Sequence, residues 1–227
     1  MNTKFKICKK SDLIIYITFT AINLLSLILH FILQACGIET GVNPILYIMV
    51  FALVWLPLPV CLIIRFDPPI YLNICYQLFV ILSYTFLSVW NGYSLITNID
   101  LFVHFLSGVL FSLCAYSVYM THNKDKNLNP FYVFAFIFAI SLACGAIWEI
   151  GEFTVDSFGG NTQVHTSPEG IPYVGHKALE NTFFDLIADF LGALVASIVC
   201  ASVYFKKFYK RKTRLQQKES QWALNKL

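Results

Sequence analysis

Residues 183–205 read FFDLIADFLGALVASIVCASVYF, and residues 206–214 continue KKFYKRKTR. The first part is apolar for long enough to cross a bilayer, which takes about 20 helical residues. The second is a basic collar of the kind held at the cytoplasmic face. Two acids, Asp185 and Asp189, sit in the apolar run toward the end away from that collar. A spanning helix with charge buried near one end is therefore the unit from which the fold is read.

Working outward, five more runs have the same length and greasiness, at about 13–35, 44–66, 70–90, 101–120 and 131–158. The composition agrees. With 57% hydrophobic and only 13% charged residues, and a mean hydropathy of +0.65, the chain falls outside the soluble globular class. The expectation is an all-α, polytopic integral membrane protein of six transmembrane helices without strands, because irregular backbone cannot face lipid. The basic start at Lys4, Lys6, Lys9 and Lys10 resembles a signal peptide, but the apolar run after it is too long and Gln34-Ala35-Cys36-Gly37 is a poor cleavage site, so it reads as an uncleaved first span.

Six spans put both termini on one side, together with Arg65, Lys124 and Lys126. That side then holds every Lys and Arg of the 16 except Lys177. The positive-inside rule makes it the cytoplasm and the protein a multi-pass component of the cell (inner or plasma) membrane. Asp12, Asp67, Asp125 and Glu219 fall inside, and the remaining acids of the 13 lie on or toward the outside. The basic tail reads as a topology anchor on anionic lipid, not as a nucleic-acid binder. No nucleic acid is implied.

The chain divides by charge. Residues 1–92 form a three-helix scaffold whose polar side chains include Asn23, Asn73 and Gln77, kinked in its second span by Pro57 and Pro59. Residues 93–206 form a second three-helix half, and 207–227 a basic cytoplasmic tail. The second half carries small residues suited to close helix packing, including Gly108, Gly145, Gly151, Gly192, Ala193 and Ala196. The seven cysteines, Cys8, Cys36, Cys61, Cys75, Cys114, Cys144 and Cys200, are scattered without a CxxC pair and read as small core residues. Cys8, next to Lys9 and Lys10, is a weak acylation candidate. The oligomeric state is not readable.

The second half also concentrates the ionisable residues. Asp100 and His104 share a face of span four at four-residue spacing. Glu149, Glu152 and Asp156 form one stripe of span five, and Asp185 and Asp189 repeat the four-residue spacing on span six. Depth favours convergence. At about 1.5 Å per residue, His104 lies roughly 6 Å below Asp100, Glu149 about 10 Å below Asp156, and Asp185 and Asp189 roughly 4 to 12 Å down. All seven then fall in the outer half of the bilayer, where an ionised side chain is costly unless it faces a cavity, a cation or a proton path. Two carboxylates about 6 Å apart repel by roughly 3 kcal/mol at an effective dielectric near 20, so six cannot all stay bare anions. Either protons or one or two cations sit among them. Carboxylate oxygens with an imidazole suit a divalent metal such as Mg, Mn, Ca, Fe or Zn, whose bound water is a ready nucleophile.

The metal-ligand candidates are therefore Asp100, His104, Glu149, Glu152, Asp156, Asp185 and Asp189, with Glu149, Glu152, Asp185 and His104 as the catalytic candidates. Each also has a plain reading as a helix-terminal or interhelical hydrogen-bonding group. Asn181 and Thr182 read as the N-cap of span six or as site-lining residues. Trp90 and Trp148 read as packing or interface aromatics. The loop at about 159–178, with His165 and His176, is either a solvated connector or a lid.

The motifs Asp100-Leu-Phe-Val-His104-Phe-Leu-Ser-Gly108, Trp148-Glu149-Ile-Gly-Glu152-Phe-Thr-Val-Asp156 and Asn181-Thr182-Phe-Phe-Asp185-Leu-Ile-Ala-Asp189-Phe-Leu-Gly192-Ala193 resemble the YjdF-like inner-membrane family and, more distantly, VanZ-like proteins. The likeness covers about 95–197. It implies a polytopic membrane protein and, through the VanZ-like link to glycopeptide tolerance, cell-envelope chemistry; no biochemical activity is carried over. Asn181-Thr182 departs from the Asp-Thr usual in the family.

Three functions stay open. The first is metal-dependent chemistry on a lipid or lipid-linked headgroup, which would make membrane lipids and a lipid-linked substrate the partners and a hydrolase the enzyme class. The second is a proton- or cation-coupled transporter. The third is a non-catalytic envelope or assembly protein.

Overall fold

The computed structural model describes residues 9–224 apart from 41, 43, 97, 124–127, 159–161, 165, 166 and 168. Lys4, Lys6, Cys8, Lys124, Asp125, Lys126 and His165 thus lie outside the described residues, as do the side chains of Arg211, Lys218 and Glu219. The elements are helices: α1 (Lys10–Ala35), α2 (Leu46–Trp55), α3 (Pro57–Ile63), α4 (Ile70–Val80), which runs into a π-helical stretch (Ile81–Val89), α5 (Ile99–His122), α6 (Pro130–Ser157) and α7 (His176–Leu224). They make six helices long and apolar enough to cross a membrane, α2 with α3 forming the second and α4 with the π-helical stretch the third. The protein is a multi-pass membrane protein.

Two boundaries differ from the sequence reading. α1 begins at Lys10 and takes Asp12, which is buried, into its first turn. One Asp12 oxygen accepts the Lys9 backbone N–H at 3.3 Å and the other accepts Asn73 Nδ2 at 3.2 Å. α7 begins at His176, about seven residues before its apolar run, which takes Asn181 and Thr182 out of the N-cap and into the helix. It is 49 residues long, about 73 Å at the α-helical rise, so it extends well beyond a bilayer and carries the basic tail as helix to Leu224.

Besides the Asn73–Asp12 bond, the first half is held by neutral hydrogen bonds between spans. At Pro57 the second span breaks into α2 and α3, and the missing N–H leaves the Leu53 carbonyl short of its helical donor. The Tyr76 hydroxyl supplies one at 2.9 Å, and Gln77 Nε2 donates to the adjacent Val54 carbonyl at 2.8 Å. Higher up, Thr85 Oγ1 donates to Asn23 Oδ1 at 2.6 Å, and Trp90 Nε1 donates to Ser26 Oγ at 2.7 Å. α1 closes with Gly37 at φ +77, a left-handed conformation that lets Gly37 N–H reach the Gln34 carbonyl and Ile38 N–H the Leu33 carbonyl. An apolar core of Ile15, Phe19, Val42, Tyr47, Val50, Val54, Val80 and Val89 fills the interior.

In the second half α5, α6 and α7 pack closely on one another. A Cβ on Gly108 would collide with the Asp189 carbonyl, and one on Gly192 with the Phe105 carbonyl, so these glycines set the α5–α7 approach. Gly151 meets nothing within 4 Å and is not a packing position. Ala193 and Ala196 are buried. Of the described cysteines only Cys200 is fully buried, while Cys36 and Cys75 are exposed, which corrects their reading as core. Phe66, Leu72 and Leu110 join the two halves.

Candidate metal centre

α5 and α7 begin, and α6 ends, at the same end of the bundle, so the acidic stripes of the three helices meet there. His104, 4% exposed, is the centre. Its Nδ1 lies 3.2 Å from Asp189 Oδ2 and 3.6 Å from Glu149 Oε1, and its Nε2 lies 3.8 Å from Asp100 Oδ1 and 4.0 Å from Asp185 Oδ1. Glu149, Asp185 and Asp189 are buried, and Asp100 is partly open. Room for Asp189 comes from Gly145, where a Cβ would stand 2.6 Å from Asp189 Oδ2.

The outer oxygens of two acids are held by amides. Gln163 Nε2 donates to Glu149 Oε2 at 3.1 Å and to Thr182 Oγ1 at 2.8 Å, and Asn181 Nδ2 donates to Asp185 Oδ2 at 2.7 Å. Ser107 Oγ donates to Asp189 Oδ1. The inner oxygens, Glu149 Oε1 and Asp185 Oδ1, are buried without a hydrogen-bond partner and turn toward His104. A neutral imidazole donates from only one nitrogen, so one pair of acids must face a lone pair unless a further proton or a cation intervenes. Among the described residues the lysine ion pairs are Lys9–Asp67 and Lys177–Glu180, neither of them here.

Two overlapping groups have the dimensions of a cation site: Asp100, His104 and Asp185, and His104, Glu149 and Asp189. The ligand atoms of each lie within 4.8 Å of one another. Metal–oxygen and metal–nitrogen bonds of about 2.0–2.6 Å span such separations. Neither group includes a cysteine, although Cys144 is within electrostatic reach of Asp189.

The structure brings together five of the seven acids and histidine singled out by the sequence. Glu152 and Asp156 lie beside the cluster and belong to neither group. Glu152 Oε1 accepts Trp148 Nε1 at 2.8 Å. Asp156 accepts the backbone N–H groups of Thr162 and Gln163 at 2.7 and 3.0 Å, fixing the loop that inserts Gln163. Val164 N–H is held by Asn181 Oδ1 at 2.8 Å. Sequence reasoning missed Ser107, Gln163 and Tyr93. Ser107 is legible after the fact, being three residues past His104 on the same face. Gln163 and Tyr93 lie between spans and give no periodic signal. Burial, then the nearby charges of Asp100, Glu152 and Asp185, push the Tyr93 phenol up.

The family described as predicted membrane protein (DUF2238) matches residues 14–207. The chain belongs to this family. The DUF2238 match takes in all six spans and every residue of the acidic cluster, and leaves the tail from 208 onward outside it. No curated protein and no solved structure matches the chain.

Proposed function

We propose that the cluster holds one or two divalent cations and performs metal-dependent chemistry on a lipid or cell-envelope headgroup. The observation that carries this reading is the pair of buried, unpartnered carboxylate oxygens, Glu149 Oε1 and Asp185 Oδ1, turned toward the two nitrogens of one histidine. Leaving such oxygens bare is costly, and a cation at each group would satisfy both. His104, Glu149 and Asp189 would hold one ion; a second, at Asp100, His104 and Asp185, would require the His104 ring to give up its N–H proton, since a neutral imidazole has one free lone pair. Hard oxygen donors with one imidazole favour Mg, Mn, Ca, Fe or Zn over a thiolate-seeking metal. A bound cation supplies an activated water and polarises a phosphoryl or carbonyl oxygen. Glu152, hydrogen-bonded to Trp148, would exchange protons with the site.

The distribution of Lys and Arg supports cytoplasmic termini and a cluster that opens to the outside of the inner or plasma membrane. Membrane lipids and a lipid-linked substrate are then the partners. The resemblance to YjdF-like and VanZ-like proteins points the same way, toward the envelope.

Metal analysis of detergent-purified wild type beside Glu149→Gln tests the proposal. Near-stoichiometric metal in the wild type, lost in the variant, is the expected result; metal-free wild type contradicts it. A second reading, a proton-coupled transporter, is favoured by one feature: His104 touches both acid pairs, as a proton relay requires. Metal-free protein that moves protons in liposomes, and stops on His104→Gln, would establish that reading instead.

A further inference from the structure

Beside the cluster, where the third span meets α6, lies a second group of side chains, of which the metal reading uses only Glu152. Tyr84, on the π-helical stretch, packs edge-on against Trp148 with ring centroids 5.8 Å apart. Its hydroxyl is buried and has no hydrogen-bond partner. Trp148 in turn donates to Glu152, which no described lysine or arginine neutralises. The flank of α6 is open: Trp148 is 39% exposed, and Ile147, Ile150 and Phe153 about it are more so. In a bilayer that flank faces lipid, so the group is reached sideways from the membrane.

We propose that this seam, built from Tyr84, Trp148 and Glu152, is the subsite for an ammonium-bearing lipid headgroup. Aromatic rings beside a carboxylate are the chemistry that recognises an ammonium. An anionic headgroup would meet Glu152 and the acids behind it. The unpartnered Tyr84 hydroxyl is a donor for the phosphate or ester oxygen next to the ammonium, and wide π-helical turns recur at functional sites. Trp148 thereby gains a role beyond the packing or interface aromatic read from sequence. The inference rests on the proposed function for what the cluster does with the headgroup, and extends it by naming the substrate class.

The test is native mass spectrometry of the full chain, in detergent with a chelator, titrated with dihexanoyl phosphatidylethanolamine or dihexanoyl phosphatidylglycerol. The ethanolamine lipid is expected to bind about tenfold more tightly. Glu152→Gln keeps an acceptor for Trp148 while removing the charge, and is expected to bring the two lipids within about twofold of each other. Glu149→Gln is expected to leave the preference in place. Equal binding of both lipids by the wild type overturns the proposal, as does a preference for the glycerol lipid. So does a preference that survives Glu152→Gln, or one abolished by Glu149→Gln, which would put the ammonium in the cluster. Because the titration is run without metal, its failure and the failure of the metal reading are separately visible.

Discussion

The two halves of the bundle bury polar groups in opposite ways. In spans one to three they are mostly amides, hydroxyls and indoles, several of them tied to a partner on another span: Thr85 to Asn23, Gln77 to the Val54 carbonyl, Trp90 to Ser26. In spans four to six, beside buried serines, they are carboxylates around one histidine, two of them with an unpartnered oxygen. The first half is also not perfectly satisfied, since His30 Nε2, Asn73 Oδ1, Gln77 Oε1 and the Tyr84 hydroxyl lack partners. A spare lone pair on a neutral group is a small cost, however, while an unneutralised carboxylate in the same surroundings is a large one. The difference separates polar residues that join helices from polar residues that wait for something.

The largest expected effect lies where the second half is packed tightest. Gly192→Ala drives a methyl into the Phe105 carbonyl and should cost about 1–3 kcal/mol or prevent folding, seen as a lowered Tm or loss of monodisperse protein. Gly151→Ala, with open space at its Cβ, should be neutral or stabilise by up to about 1 kcal/mol. Next, a chelator should lower the Tm of the wild type and leave a Glu149→Gln, Asp185→Asn double variant unmoved. At a hundredfold excess of metal over Kd the linkage is about 2.7 kcal/mol. In the first half, Asn23→Leu or Gln77→Leu should cost about 1 kcal/mol each and leave metal content unchanged; a loss of metal there would erase the distinction between the halves. Smallest is Gln163→Ala, which should weaken metal binding by about tenfold or less and speed hydrogen exchange at the Thr162 and Gln163 amides.

The six spans were legible because lipid forces long apolar runs, and the convergence of acids was legible because helical spacing and span direction together fix face and depth. That logic covers Asp100, His104, Glu149, Asp185 and Asp189. It fails where contacts are long-range or a helix outruns its apolar stretch. α7 begins at His176 because Gly175, at φ +60, ends the loop there and Lys177 pairs with Glu180 within the first turn. Hydropathy alone does not register that turn, so Asn181 and Thr182 read as a cap. Gln163 reaches Glu149 only because Asp156 and Asn181 fix the loop, a pairing that no local pattern announces. The Pro57 break, by contrast, was visible, and its need for outside donors explains Tyr76 and Gln77 once the fold is known.

The central claim is that His104 and its ring of acids bind a cation directly. X-ray absorption spectroscopy of the metal that co-purifies with the full chain reads those ligands. The account predicts oxygen donors at about 2.0–2.4 Å with a single imidazole and no sulfur, the imidazole signal disappearing in His104→Gln. A sulfur ligand from Cys144, an imidazole signal that survives His104→Gln, or protein that carries no metal at all would contradict it.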